Sequence, residues 1–182
     1  AVLTSVVPGT GSTMGWAMIH AAHHQYSDTE KDPHSAQYSK FWELLVWRYP
    51  YTGTLHSVRY LARDPIHKSL HQYYVLWMLG WACLWYWLAG INGLMFIVLL
   101  PWALGPFLST VQNYMLHAKT PLNYRSFDTP DHSQNSPSMH LLSFGACGLH
   151  NNHHAHPRSW TTVMKKGEVD TAAWFIRLIR KD

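Results

Sequence analysis

The sequence predicts an all-α integral membrane protein, with one transmembrane hairpin and a cytosolic, histidine-rich helical cap. Three observations predict this fold class. Residues 69–118, between Lys68 and Lys119, contain no Asp, Glu, Lys or Arg. Two clusters of three histidines lie on either side of that stretch. Trp and Tyr each occur 10 times in 182 residues, and both favour the boundary between membrane and water.

The uncharged stretch is long enough for two membrane spans. A helix rises 1.5 Å per residue, so about 20 residues cross a hydrocarbon core that is about 30 Å thick. The turn signal near its middle is the sequence AGING at residues 89–93. We therefore expect a hairpin over about 73–109, with spans at 73–88 and 94–109. Pro101 and Pro106 are candidate kinks in the second span.

Basic residues flank the predicted hairpin on both sides. The flanking residues are Arg48, Arg59, Arg63 and Lys68 before it and Lys119 and Arg125 after it. The bias of Lys and Arg toward the cytoplasm places both flanks on that side. We therefore expect one domain over residues 1–182, with cytosolic segments at 14–68 and 113–182. The alternative is a hairpin buried in a soluble protein, but a chain of this length rarely buries two such spans.

The two ends of the chain and its composition narrow the functional classes. Residues 1–13 are predicted to be a glycine-rich loop or the end of a segment that the sequence lacks, and residues 171–181 a helix that is either interfacial or packed on the protein. The net charge of +4 without a dense basic stripe predicts no nucleic-acid partner. Two cysteines form no disulfide framework. The sequence lacks G-x-S-x-G, P-loop and G-x-G-x-x-G patterns, and also the paired Glu-x-x-His of soluble di-iron bundles.

Two copies of the pattern H-x-x-H-H are the chemically informative motifs. The first contains His20, His23 and His24, and the second contains His150, His153 and His154. Positions i, i+3 and i+4 share one face of a helix. Each pattern therefore presents three imidazoles that can converge on one or two metal ions.

A third polar element lies at the end of the second predicted span. Asn113 and His117 form an i, i+4 pair, and polar residues beside an apolar membrane segment are usually functional. Closure of the hairpin would bring His117 and both clusters to one cytoplasmic face. Seven imidazoles exceed the four ligands of a zinc ion and indicate two ions. Imidazole binds Fe, Zn and Cu alike, so the ligand type leaves the metal open.

The other seven histidines are weaker candidates for the site. His34, in the sequence Asp32-Pro33-His34, is either a neighbour that orients a ligand or a surface residue. The remaining six are expected to be surface or hydrogen-bonded structural residues, namely His56, His67, His71, His132, His140 and His156.

At these motifs the sequence resembles the membrane-bound fatty acid desaturases, specifically the delta-9-like branch that acts on acyl-CoA or acyl-lipid. The likeness covers nearly the whole chain, with the motifs in the family's order. The matching segments are the second histidine box at 16–34, the entry to the second hairpin at 63–67, N-x-x-x-H at 113–117, the aspartate-rich linker at 128–135 and the third box at 148–157.

The resemblance implies an enzyme that uses O2 as co-substrate to introduce a double bond into a fatty acyl chain. It implies four spans, with the active site on the cytoplasmic face, and an acyl tunnel near Trp16. The implied partners are an acyl substrate linked to CoA, lipid or a carrier protein, membrane lipid, and an electron donor such as ferredoxin or cytochrome b5. The implied catalytic ligands of two iron ions (Fe2+) are His20, His23, His24, His117, His150, His153 and His154, with Asn113 reaching one iron through water.

The chain also departs from the family pattern. The first box, H-x-x-x-x-H, is absent, so we expect it upstream of residue 1 together with the first hairpin, and we expect this chain alone to be inactive. Ala21 stands where the family often has Arg, and Cys147 and Leu149 stand where Glu and Trp are frequent. These differences concern substrate and regiochemistry more than metal binding.

Three alternatives to the desaturase remain open from the sequence. A fatty acyl or alkane hydroxylase on the same di-iron scaffold shares these motifs. An inactive fragment that retains the motifs is a second alternative. A membrane metal-binding or transport protein predicts ligands within the spans, and the sequence places its histidine clusters outside them.

Overall fold

The computed structural model describes residues 6–7, 10–46 and 55–179. The predicted all-α class is confirmed, because the described residues form helices and their β-pairing is confined to two isolated bridges, Tyr124 with Asn135 and Asn135 with Leu149. Several predicted features lie outside the described residues, namely 1–5 and 8–9 of the N-terminal loop, the basic flank residue Arg48, and residues 180–181 of the last predicted helix.

The chain forms two compact units, residues 1–110 and residues 111–182. The first unit contains α1 (Thr13–Tyr26), α2 (Phe41–Leu45), a 3-10 turn (Leu55–Val58), α3 (Arg59–Ala62), α4 (Pro65–Gln72), α5 (Tyr74–Gly93) and a π-helical segment (Leu94–Leu99). Helix α6 (Leu100–His117) begins in the first unit and ends in the second, where α7 (Pro137–Leu142), α8 (His150–Ala155) and α9 (Thr171–Ile179) follow.

The start of α1 is fixed by a polar cap and an apolar contact. Ser12 adopts an extended backbone, and its hydroxyl accepts a hydrogen bond from the Gly15 N–H at 3.1 Å, which satisfies one of the unpaired donors of the first turn. The same hydroxyl lies 2.7 Å from Nδ1 of His71 on α4. Met14 and Met18 are buried against Val58. This packing fixes the helix that carries the first histidine cluster.

The predicted reversal of the apolar stretch occurs at residues 89–90. Ala89 (φ −138°, ψ 16°) and Gly90 (φ 58°, ψ −147°) leave the helical conformation, and the positive φ of Gly90 costs little because glycine has no side chain. A Cβ placed on Gly93 would overlap the backbone oxygen of Trp85. In an uninterrupted helix these residues would be about 12 Å apart. The chain therefore folds back on itself at this point.

The stretch Tyr74–His117 is long and apolar enough to cross a membrane. Its large apolar side chains are mostly exposed, and Trp87 keeps 79% of its surface accessible. The second arm of the hairpin continues to His117, beyond the predicted end at residue 109, so Asn113 and His117 lie on the last turns of α6. The second arm departs from regular α-helix in the π-helical segment Leu94–Leu99, which comes just before Pro101. Pro106 lies within α6.

The second unit has a small apolar core and a large polar one. Its buried apolar side chains include Leu116, Met139, Leu149 and Ala173. Ser136 is the N-cap of helix α7, and its hydroxyl accepts from the Met139 N–H, while Pro137 is the first residue of the helix. The buried polar residues of this unit include Asp131, Ser133, Gln134, Asn135, Ser136, Asn151 and Asn152. Hydrogen bonds, rather than apolar packing alone, hold this unit together.

The close approach at Gly93 gives a prediction for the hairpin. The substitution Gly93→Ala should destabilise the protein by about 1–3 kcal/mol, because the added methyl group meets backbone, which cannot rotate away. Gly80→Ala in the same helix is the matched control, since nothing lies within 4 Å of the point that its added methyl group would occupy, and it should be neutral or stabilising by up to about 1 kcal/mol. Thermal unfolding in detergent measures both. Equal stability of the two variants would contradict the fold-back.

Candidate metal centre

Helix α1 presents the three histidines of the first cluster on one face. Nε2 of His20 lies 3.1 Å from Nε2 of His24. The His23 ring lies 6.0 Å from the His20 ring and 5.7 Å from the His24 ring, between centroids. This is the convergence expected of positions i, i+3 and i+4.

A buried carboxylate orients His23. Nδ1 of His23 lies 3.0 Å from both carboxylate oxygens of Asp32, and both side chains are almost fully buried. Because a carboxylate only accepts hydrogen bonds, Nδ1 carries a proton, and in the neutral imidazole the lone pair is therefore on Nε2. Asp32 also accepts from the backbone N–H groups of Asp28 and His34, both at 3.0 Å. The turn after α1 is thus built around this carboxylate.

Two further rings pack beside the first cluster. The His34 ring stacks on the His23 ring with centroids 4.1 Å apart, and the indole of Trp16 stacks on His20 at 5.6 Å and on His34 at 6.0 Å. Single ligand atoms from His23, Asp32 and His34 lie within 4.8 Å of one another. Of the two interpretations of His34, this geometry favours the neighbour of a ligand over the surface residue.

The second unit holds a second histidine cluster, formed by the end of α6 and by α8. Nε2 of His117 lies 3.0 Å from Nε2 of His150. The His154 ring lies 5.1 Å from the His117 ring and 4.4 Å from the His150 ring. Ligand atoms of these three residues lie within 4.8 Å of one another. Asn113 lies one turn before His117 on α6.

His154 is oriented in the same way as His23. Its Nδ1 donates to Oδ2 of Asp131 at 2.6 Å, while Oδ1 of Asp131 accepts from the hydroxyl groups of Thr129 at 2.7 Å and Ser133 at 2.6 Å. Burial alone would raise the pKa of Asp131, but the hydrogen bonds from His154 and Ser133 outweigh it and hold the pKa well below its usual range. Asp131 is therefore ionised at neutral pH.

His153 completes the second cluster in its neutral form. Its ring centroid lies 5.8 Å from those of His150 and His154. Burial, with a smaller contribution from His154, lowers the pKa of His153 to about 4. A neutral imidazole is the form that binds a metal, so this environment favours the ligand state at neutral pH.

Three of the six weaker histidine candidates make contacts outside the two clusters. His71 hydrogen bonds with Ser12, His67 lies 3.3 Å from Asp64 at the start of α4, and the His156 ring contacts Phe127 edge-on at 4.9 Å.

The donors present in each unit fit a transition-metal ion. Two nitrogen ligands about 2.1 Å from a common ion, at angles of roughly 90–100°, are about 3 Å apart. The Nε2 pairs of His20 with His24 and of His117 with His150 have this spacing. The second pair, with His154, is part of a largely buried histidine cluster. All-nitrogen donors of this kind suit divalent iron, zinc or copper.

The two orienting carboxylates were not predicted from the sequence. Asp32 and Asp131 both lie in segments that carry the family resemblance, but neither is adjacent to its histidine, with separations of 9 and 23 residues. The sequence signals were the Asp32-Pro33 pair after the first cluster and the position of Asp131 in the aspartate-rich linker. Those signals are weak, because such sequences also occur in ordinary turns.

A comparison with protein-family models gives one match. The model described as "Fatty acid desaturase" matches residues 1–165, which covers both histidine clusters, the apolar hairpin and the linker between α6 and α8.

Curated relatives cover nearly the whole chain at low identity. The chain is 28% identical over 98% of its length to the sn-1 stearoyl-lipid 9-desaturase of Anabaena variabilis, of which it covers 66%. It is 28% identical over 93% of its length to the sn-2 palmitoyl-lipid 9-desaturase of a Nostoc strain, of which it covers 61%. It is 29% identical to the icosanoyl-CoA 5-desaturase of Limnanthes douglasii, of which it covers 49%. The chain thus spans about half to two thirds of these relatives.

The environment of His153 predicts a loss of stability in acid for the metal-free protein. Its pKa falls from 6.5 to about 4 on folding, so the unfolded state binds more protons between these values and stability decreases as pH falls through that window. The expected loss is about 3 kcal/mol, since one pKa unit corresponds to about 1.4 kcal/mol. Denaturant unfolding at pH 7, 5.5 and 4 measures it. His153→Gln should flatten the dependence of stability on pH, and the control His132→Gln should leave it unchanged. If the pH profile of His153→Gln equals that of the wild type, His153 is not the source of the dependence.

The carboxylate of Asp131 gives a prediction for metal affinity. Asp131→Asn keeps the size of the side chain but removes the charge that His154 faces, and outer partners of this kind typically change metal affinity by about 10–100-fold. We expect at least about a tenfold weaker affinity for divalent metal, measured by titration of the purified protein. Asp128→Asn is the control, because Asp128 lies in the same linker with a fully exposed side chain. A similar change in both variants would exclude a specific role for Asp131.

Proposed function

Because the chain belongs to the fatty acid desaturase family, we propose that it is the C-terminal part of a membrane-bound enzyme that uses O2 and a histidine-ligated di-iron centre to introduce a double bond into a fatty acyl chain. The observation that carries this proposal is the pair of imidazole clusters, each with one ring oriented by a buried aspartate. Paired Nε2 atoms at 3.0–3.1 Å supply the donor spacing that a metal ion requires.

We propose that both clusters bind the same pair of iron ions. Seven imidazoles exceed the ligand number of one ion, and an all-nitrogen set is compatible with iron. In this proposal Asn113 acts through a water molecule. The proposed ligands are His20, His23, His24, His117, His150, His153 and His154.

The iron pair, when bound, supplies the oxidising chemistry that removes hydrogen from an unactivated CH2 group. The overall reaction balances if two hydrogens from adjacent CH2 groups, two electrons from a donor protein and two protons reduce one O2 to two water molecules. The residues of this chain hold and orient the ligands. Asp32 and Asp131 keep the protons of His23 and His154 on Nδ1, so that each Nε2 can face an ion.

The proposed substrate is a fatty acyl chain carried by a lipid or by CoA. Relatives of the chain are described as acyl-lipid and acyl-CoA desaturases. Trp16 stacks on the cluster histidine His20, a position compatible with a wall beside a bound acyl chain. Burial of each CH2 group of such a substrate contributes about 0.8 kcal/mol. An electron donor such as ferredoxin or cytochrome b5 is proposed as the redox partner.

The hairpin is proposed to cross the membrane and return the chain to the cytoplasmic side. Support comes from the uncharged, exposed surface of Tyr74–His117 and from the basic residues that flank it, which favour the cytoplasm. The relatives are longer than this chain, and we propose that a further hairpin with the remaining histidine box lies upstream.

The test of the proposed function is expression of the completed gene in a host that lacks its own desaturase, followed by analysis of the fatty acids. We expect new unsaturated acyl chains, and we expect His117→Ala to abolish them because it removes a central member of the second cluster. Glu30→Gln, an exposed site outside both clusters, is the control. Unchanged lipids from a membrane-inserted, iron-loaded wild type would refute the proposal. Hydroxylated acyl chains would assign the hydroxylase instead.

A further inference from the structure

Helix α8 carries three of the proposed ligands and is too short to be stable by itself. Helix α8 (His150–Ala155) has only six residues, and its N-cap residue, Leu149, makes no side-chain cap. Helices of this length are unstable in isolation, because the cost of nucleation is spread over very few hydrogen bonds. The orientation of its histidines must therefore be fixed from outside the helix.

Asn135 supplies the missing cap from a distant part of the sequence. Its side-chain oxygen accepts from the backbone N–H of Asn151 at 2.9 Å and of Asn152 at 3.3 Å, the positions that a local N-cap residue would satisfy. Its side-chain amide donates to the side-chain oxygen of Asn152 at 2.8 Å. Asn135 is completely buried, so these bonds are shielded from water and costly to break.

The side chain of Asn152 connects helix α8 to the C-terminal segment by hydrogen bonds. Its side-chain nitrogen donates to the backbone oxygen of Thr162 and to Oε2 of Glu168, both at 2.9 Å. Both of its amide hydrogens and its oxygen are thus used. Asn152 lies between the ligands His150 and His153 in the sequence, so any rotation of α8 that moves these histidines also breaks its bonds.

Glu168 is the charged end of this network. The same oxygen, Oε2, accepts from the backbone N–H of Met164 at 2.7 Å and of Lys165 at 2.8 Å. Burial would raise the pKa of Glu168, but the hydrogen bonds from Met164, Asn152 and Lys165 outweigh it and leave the pKa below its usual value. Three donors converge on one oxygen of an ionised group, and charge-assisted bonds of this kind are stronger than neutral ones.

We propose that Glu168 is a positioning residue for the metal centre, which sets the orientation of the ligands on α8 through Asn152 and Asn135. This inference rests on the proposed function, since it assumes that His150, His153 and His154 bind metal. Glu168 lies 14 residues after the last histidine of the cluster, and its hydrogen bond to α8 is made to Asn152 rather than to a histidine. Its effect on metal binding must therefore be indirect, through Asn152.

The experiment measures metal affinity in the full-length protein purified in detergent. Fe(II) is titrated anaerobically into the metal-free protein, and Co(II) is added separately, because its visible absorption bands report the number and geometry of the ligands. Unfolding temperatures are recorded with and without metal. The variants are Glu168→Ala, which removes the acceptor, and Glu168→Gln, which keeps an acceptor oxygen without charge.

We expect Glu168→Ala to weaken metal affinity by about 10–100-fold, which is the range typical for loss of an outer partner of a metal site. The same variant should change the Co(II) spectrum. Glu168→Gln should recover part of the affinity. Thr171→Ala is the matched control. Thr171 also lies in the C-terminal segment, but its hydroxyl donates to the backbone oxygen of Phe144 at 3.0 Å, outside α8 and outside the Asn152 network. This control should lower the unfolding temperature while leaving metal affinity within about threefold of wild type.

The outcomes separate this inference from the proposed function. A wild type that binds neither Fe(II) nor Co(II) would refute the proposed function. A wild type that binds both, together with a folded Glu168→Ala variant of unchanged affinity and Co(II) spectrum, would overturn the positioning role alone. If Glu168→Ala does not fold, Glu168→Gln decides, since wild-type affinity and spectrum in that variant would also overturn it. Equal losses of affinity in Glu168→Ala and Thr171→Ala would show that Glu168 has only a structural role.

Discussion

The hydrogen bond from an imidazole Nδ1 to a buried aspartate is the interaction on which both histidine clusters depend. An imidazole has two nitrogens and can present either to a metal, so its usefulness as a ligand depends on where its proton lies. The hydrogen bonds to Asp32 and Asp131 place a proton on Nδ1 of His23 and of His154. Burying an ionised carboxylate is costly unless it is fully hydrogen-bonded. The surrounding loops meet this requirement with backbone N–H groups at Asp32 and with Ser and Thr hydroxyls at Asp131.

This requirement explains the shape of the two loops. After α1 the chain enters a left-handed conformation at Asp28 (φ 59°), which turns its N–H toward Oδ2 of Asp32. Asp and Asn tolerate this conformation better than most residues. In the second unit, Asp131 accepts from Ser133 through both its N–H and its hydroxyl, which closes a compact turn before Asn135. Each loop thus brings its carboxylate to a particular histidine rather than only connecting two helices.

Much of the fold could be predicted from the sequence, because the relevant signals are local. The absence of charge over residues 69–118 and the glycines near its middle identify the apolar hairpin and its turn at Ala89–Gly90. The H-x-x-H-H spacing predicts that His20 and His24 approach each other on one helix face, and they do. The end of the second arm was less predictable, because the hydrophobic pattern fades at residue 109 whereas the helix continues through Asn113 to His117.

The orienting residues of the site were not predictable in the same way. Asp131, Asn135 and Glu168 act on α8 from 15 or more residues away in the sequence, and their types, Asp, Asn and Glu, are common in ordinary surface loops. Only the tertiary structure shows that they are connected. The sequence of a histidine box therefore identifies the donors without specifying their geometry.

Helix α8 is capped by a residue that is distant in the sequence, and this affects the position of its histidines. A Ser or Thr at position 149 would stabilise the first turn of α8 but would tie the helix only to its own chain segment. Leu149 instead buries its side chain, and Asn135 caps the helix while its backbone pairs with Tyr124 and with Leu149. The cap therefore fixes α8 relative to the linker that also carries Asp131. Because the same linker holds the carboxylate for His154 and the cap for α8, the position of the helix and the orientation of its last histidine are set together.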